Sequence, residues 1–217
     1  MINAVVFDVG ETLVDETRQH GQWADRLGVP RHTFSAVFGG MVATGREFRD
    51  ALVLFRPDFH LPTERQRRAE AGLVDEFTEA DLYPDVRACL TALRDQGIWV
   101  GVAGNQPASA EGLLRAMDLP VDLIATSQDW GVSKPDPRFF DRVVAAVPFP
   151  PDQVAYVGDR VDNDMKPAKA AGLRTIYLRR GPWGFIWAGH TDLAGAADWQ
   201  VGSLAEIPPL LAAVNRG

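Results

Sequence analysis

The stretch Met1-Ile2-Asn3-Ala4-Val5-Val6-Phe7-Asp8-Val9-Gly10-Glu11-Thr12-Leu13 carries the first decision about the fold. Its opening run is apolar almost throughout, as expected of a parallel strand buried on both faces. The run ends at a carboxylate and passes at once into a glycine-containing turn. Open α/β sheets carry their chemistry at the carboxyl ends of such strands, so Asp8 is a candidate catalytic residue as well as a candidate turn cap.

Further along, Trp99-Val100-Gly101-Val102-Ala103 ends in Gly104-Asn105-Gln106, and a lysine stands in Ser133-Lys134-Pro135-Asp136-Pro137. A late strand, Val154-Ala155-Tyr156-Val157, ends in Gly158-Asp159, with Asp164 shortly after. In order and spacing these four segments resemble the four motifs of the haloacid dehalogenase-like (HAD) hydrolase superfamily, and they span nearly the whole chain. The late one, Gly158-Asp159-Arg160-Val161-Asp162-Asn163-Asp164 followed by Ala170-Ala171-Gly172, is the most specific. Two positions depart from the pattern. The phosphatase form of the first motif has a second aspartate where this chain has Gly10, and the second motif offers a serine or threonine hydroxyl where this chain has Gly104.

From Asp85 onward, strand and helix patterns alternate with short connections, which predicts an α/β fold with a Rossmann-like, doubly wound parallel sheet. Helices are expected at Asp85 to Gln96, Pro107 to Met117, Pro137 to Val147 and Asp162 to Ala171, with an edge strand at Trp199 to Val201 and a closing helix from Leu204 to Val214. Asp136 and Pro137 suit an N-cap and first turn. Residues 15–82 read differently, with helical patterns at Gln19 to Leu27, Arg31 to Thr44, Glu47 to Phe55 and Thr63 to Phe77, the last with Thr63 and Gln66 at capping-box spacing. The expected organisation is a core of residues 1–14 and 83–217 with an all-helical cap of residues 15–82 inserted after the first strand. The resemblance implies that this cap shapes the substrate pocket, where His20, Trp23, His32, Arg46 and Arg49 are candidate contacts, packing residues or solvated surface.

Length and charge narrow the class. The 217 residues suffice for one α/β domain with an insert, and a net charge of -7 without a basic cluster argues against a nucleic-acid or anionic-membrane surface. One cysteine, Cys89, in a helical apolar stripe, fits a reducing compartment, and no apolar stretch approaches membrane-spanning length. A cytoplasmic protein is expected, monomer or homodimer. Trp183 and Trp187 mark an apolar region that serves packing or dimer contact.

A carboxylate nucleophile divides phosphoryl or ester transfer into two easier steps. A phosphate substrate would repel that carboxylate, so a divalent cation is required, and Asp8 and Asp159, with Asp164 behind them, offer the oxygen ligands that Mg²⁺ prefers. The resemblance adds the Gly10 carbonyl to the metal ligands and gives Lys134 the task of offsetting charge on nucleophile and phosphoryl group. Gly104, Asn105 and Gln106 form the expected substrate-binding turn through backbone amides at a helix start or through the two amide side chains. Glu11 is ionisable and adjacent to Gly10, but a turn residue there is expected to face solvent. The first reading is a Mg²⁺-dependent phosphohydrolase for a small phosphorylated metabolite, working through an aspartyl phosphate. The alternatives are a 2-haloacid dehalogenase, which needs neither metal nor second aspartate, and a catalytically silent relative that binds a phosphorylated ligand or a protein.

Overall fold

In the computed structural model, residues 1–72 and 77–217 are described. The chain divides into two compact units, one of residues 1–15 with 82–217 and one of residues 16–81. The larger unit holds a six-stranded sheet: β1 (Ala4–Phe7), β2 (Trp99–Gly104), β3 (Leu123–Thr126), β4 (Val154–Gly158), β5 (Arg174–Leu178) and β6 (Trp199–Val201). All pairings are parallel and the order is β3-β2-β1-β4-β5-β6. Every residue of β1 is fully buried between β2 and β4, which explains its uninterrupted apolar run. Succession runs outward to β3 on one side of β1 and to β6 on the other, so the order reverses beside β1. That switch point is where a doubly wound sheet opens a crevice at its carboxyl edge.

In the smaller unit, α1 (Thr17–Leu27), α2 (Arg31–Ala43), α3 (Phe48–Phe55) and α4 (Leu61–Glu70) pack around Phe34, Phe38, Trp23 and Leu52. Glu47 and Asp50 form the capping box of α3. The box expected at Thr63 and Gln66 does not form. Pro62 presets the first turn and α4 starts at Leu61, leaving Thr63 Oγ1 to His60 Nδ1 at 2.7 Å. The helix ends before Gly72, whose φ of 68° is left-handed, and part of the expected span to Phe77 lies outside the described residues. Trp23 is buried against Phe59, and His20 stacks on Phe48, so both pack, whereas His32, Arg46 and Arg49 are exposed.

One polar cluster ties this unit together. Glu64 accepts from Arg26 Nε at 2.7 Å and Arg67 Nη1 at 2.8 Å, with Arg56 Nη2 at 3.7 Å. Burial opposes ionisation of Glu64, but Arg26, Arg56 and Arg67 outweigh it and hold the carboxyl below its ordinary value. The arginines remain partly exposed, so solvent screens the gain. Glu64→Gln should cost about 1 kcal/mol near neutral pH. Because the folded-state pKa is the lower one, that contribution is present above the unfolded value of about 4.3 and fades as pH falls through the folded one. An equal loss in unfolding free energy at neutral pH and in acid would assign the effect to packing instead.

In the larger unit, α5 (Val86–Asp95), α6 (Ser109–Ala116), α7 (Ser127–Trp130), α8 (Pro137–Ala146), α9 (Lys166–Ala170), α10 (Gly181–Ile186) and α11 (Ile207–Val214) flank the strands. Asp136 caps α8 by accepting from Arg138 N at 2.9 Å. The single helix expected from Asp162 to Ala171 is instead a π-turn, Val161–Met165, leading into α9. Trp183 is buried, and Trp187 packs on the cluster of Val161, Met165 and Tyr177, so both make packing contacts within the chain, while Phe185 and Ile186 between them are exposed. Among the described residues, no helix is long and apolar enough to cross a membrane.

Candidate active site

Asp8 follows β1 and Asp159 follows β4, and the register that pairs Phe7 with Val157 brings the two loops side by side. The Asp8 amide donates to Val157 O at 2.9 Å, which fixes where its side chain leaves the sheet. Asp164 reaches the same place from the π-turn, in which Met165 N donates to Arg160 O. Such turns are frequent at functional sites because the extra residue re-aims a side chain. Gly158 makes room: a Cβ there would overlap the Asp164 carboxyl group. Carboxylate oxygens of Asp8, Asp159 and Asp164 lie within 4.8 Å of one another, all three residues being buried.

Lys134 stands between two of them. Its Nζ is 2.7 Å from Asp8 Oδ1 and 2.6 Å from Asp164 Oδ1, and it also donates to Tyr156 Oη at 3.1 Å. Burial works against the ammonium, but Asp164 and Asp8 outweigh it and raise the pKa well above lysine's ordinary value. Burial, then the charges of Asp164, Asp8 and Glu11, push the Asp159 carboxyl well above the usual carboxylate range. Asp164 is shifted upward by burial too, with Lys134 opposing. Three carboxylates against one ammonium leave uncompensated negative charge in a buried place, which is costly unless a proton or a cation joins them. The donor set is all oxygen, and it suits a hard divalent cation such as Mg²⁺.

The second-motif turn is arranged differently from the sequence expectation. A Cβ on Gly104 would lie 2.5 Å from Asp8 Oδ1, so a side chain at this position would displace the Asp8 carboxylate from its place beside Lys134. Asn105 spends both ends of its amide on the Lys134 backbone, donating to the carbonyl at 2.9 Å and accepting from the amide at 2.8 Å. Helix α6 starts at Ser109 rather than Pro107, and two turn amides are engaged: Gln106 N with Gly104 O, and Ala108 N with Gln128 Oε1.

Glu11 corrects a second expectation. It is 7% exposed rather than solvent-facing, and Tyr83 Oη donates to its Oε2 at 2.6 Å. Tyr156 is a residue that the sequence reading missed. It accepts from Lys134 and donates to Ala103 O at 2.8 Å, bridging β2, β4 and the lysine loop. Its one signal was a hydroxyl in an otherwise apolar strand.

The family model for haloacid dehalogenase-like hydrolases matches residues 2–172, most of the chain and all four segments. This chain belongs to that family. Among the HAD-like hydrolases similar to it, a phosphatase of Mycobacterium tuberculosis is 31% identical over 193 residues, covering 82% of this chain and 88% of the relative. A phosphoserine phosphatase of Thermus thermophilus is 29% identical over 147 residues, 66% of this chain, and the match spans only 57% of that relative's length. A HAD-superfamily hydrolase structure from Geobacter sulfurreducens shares the fold, with a TM-score of 0.69 at 21% identity over 97% of this chain and 96% of that one.

Proposed function

We propose that this HAD-like hydrolase is a Mg²⁺-dependent phosphohydrolase acting on a small phosphorylated metabolite through an aspartyl phosphate on Asp8. The observation that carries the reading is the Asp8 carboxylate at the end of β1, paired with Lys134 and grouped with two further buried acids. Asp8, the Gly10 carbonyl and Asp159 would hold the cation, with Asp164 beside them. Once bound, it neutralises charge between the nucleophile and an anionic phosphate.

Asp8 attacks phosphorus, the bond from phosphorus to the leaving oxygen breaks, and that oxygen takes the electron pair. Water then attacks phosphorus, the bond to Asp8 breaks, the carboxylate is restored, and the phosphate departs carrying the water's oxygen and protons. Lys134, held by Tyr156 and by Asn105 through its backbone, offsets negative charge in both steps. The turn of Gly104, Asn105 and Gln106, which begins beside Asp8 at Gly104, is the proposed phosphate-binding edge, with the Asn105 side chain serving there by holding the lysine loop rather than the phosphate. With Gly10 in place of an acid, the leaving group must depart as its own anion, which favours acyl and aryl phosphates. The names of the relatives support phosphate chemistry, and a grouped set of three acids is more than a metal-free dehalogenase requires. We place the protein in the cytoplasm, since its one cysteine, Cys89, leaves no internal disulfide to form and suits a reducing compartment.

The test compares an aryl phosphate, an acyl phosphate and a 2-haloacid with and without Mg²⁺. Metal-dependent phosphate release should appear, and Asp8→Asn should reduce it by about 10⁴ or more. Metal-free halide release would assign a dehalogenase, and absence of turnover on all three a silent binding protein.

A further inference from the structure

Behind the nucleophile loop lies a group of side chains that the reaction as derived does not use. Glu11 has a φ of 52°, a left-handed conformation that non-glycine residues rarely adopt. Three neighbours hold it there. Tyr83 Oη donates to Glu11 Oε2 at 2.6 Å, and the Glu11 amide donates to Val14 O at 2.8 Å. On the third side the bare backbone of Gly181 closes in, since a Cβ there would lie 2.6 Å from that of Glu11.

Arg180 organises the group. Its guanidinium lies 4.1 Å from the centre of the Tyr83 ring, and its Nη1 donates to Thr12 O at 2.9 Å. Its Nη2 pairs with Asp85 Oδ2, which Ser203 Oγ at 2.7 Å and Leu204 N at 3.0 Å fix in turn. Tyr83 also donates its amide to Leu13 O at 2.9 Å. One cation therefore grips the loop directly at Thr12 and, through Tyr83, at Glu11.

The consequence falls on Gly10. Its carbonyl and the Glu11 N–H belong to one planar peptide unit, so φ of Glu11 and the hydrogen bond to Val14 together set where that carbonyl points. We propose that Tyr83 and Arg180 are positioning residues that lock Glu11 in its left-handed state and thereby aim the Gly10 carbonyl at the cation site. The proposal rests on the reading of that carbonyl as a cation ligand. Groups that orient ligands without touching the metal commonly govern its affinity.

Tyr83→Phe keeps the ring under Arg180 and removes only the hydroxyl. Calorimetry should show Mg²⁺ affinity lowered by about tenfold, with KM for an aryl phosphate little changed and kcat restored at high Mg²⁺. Arg180→Lys, which cannot reach both Thr12 and Asp85, should move affinity in the same direction. Ser203→Ala loosens the far end of the group and should lower Tm while leaving Mg²⁺ affinity in place. Wild-type affinity in Tyr83→Phe, or an equal affinity loss in Ser203→Ala, would overturn the positioning role. Wild-type protein that binds no Mg²⁺ would overturn the metal reading beneath it.

Discussion

Lys134→Met should yield a protein that unfolds at markedly lower urea concentration and releases no phosphate. The ammonium contacts Asp8, Asp164 and Tyr156, and its side chain is almost wholly enclosed. Methionine fills similar space, so the loss is electrostatic. Removing one partner of a buried ion pair costs about 3–5 kcal/mol, because the remaining charge stays without a counterion. Two carboxylates would be abandoned here, with Asp159 already pushed toward its neutral form. The folded protein holds the Lys134 proton more tightly than the unfolded chain does. The contribution is therefore present at neutral pH, is lost as pH rises above lysine's ordinary range, and weakens on the acid side as the Asp164 carboxyl, pushed up to about 6, takes a proton. Added Mg²⁺ should restore part of the stability, since a cation offsets the same acids, and little of the activity. A stability loss below about 1 kcal/mol would place this pair among those of marginal worth and contradict the account.

The second large effect concerns leaving groups. Alkyl phosphates expel a strongly basic alkoxide and need a proton in the transition state, whereas aryl and acyl phosphates expel stable anions. Positioned proton transfer contributes about 10²–10⁴ in rate, so wild-type protein should show a preference of that order for good leaving groups. Gly10 is not among the glycines held at positive φ, so a side chain can be placed there without left-handed strain. Gly10→Asp should raise alkyl phosphate turnover far more than acyl phosphate turnover. Glu11 lies inward, but its carboxylate receives the Tyr83 hydroxyl and serves the loop. If Gly10→Asp changes neither rate while Glu11→Gln abolishes alkyl phosphate hydrolysis, Glu11 is the acid and this account of Gly10 fails.

The strand ends were legible because burial imposes a composition. An apolar run that stops at Asp8, Gly104 or Gly158-Asp159 states both the strand and the place where it delivers a functional residue. Helix boundaries were less legible wherever a contact distant in sequence decided them. At Pro107 the chain first closes a tight turn, with Ala110 N donating to Pro107 O and Glu111 N to Ala108 O, while Gln128 on α7 accepts from Ala108 N, so α6 begins at Ser109; a proline rather than a side-chain cap starts α4. The remaining site residues were hidden by separation. Tyr83 meets Glu11 across 72 residues, Tyr156 meets Ala103 across 53, and Arg180 meets Thr12 across 168. No local pattern records such pairs. A turn glutamate looks solvated until the tyrosine that covers it is placed.

The central claim is that Asp8 carries the phosphoryl group. With no acid at Gly10 to activate water, hydrolysis of the aspartyl phosphate should be the slow step, so an aryl phosphate should give a burst of phenol followed by slower turnover. Acid quenching during the burst and mass analysis of the peptides should find one added phosphoryl group on Asp8, dependent on Mg²⁺ and absent from Asp8→Asn. Steady turnover with no adduct on Asp8, or the same adduct on another residue in Asp8→Asn, would contradict it.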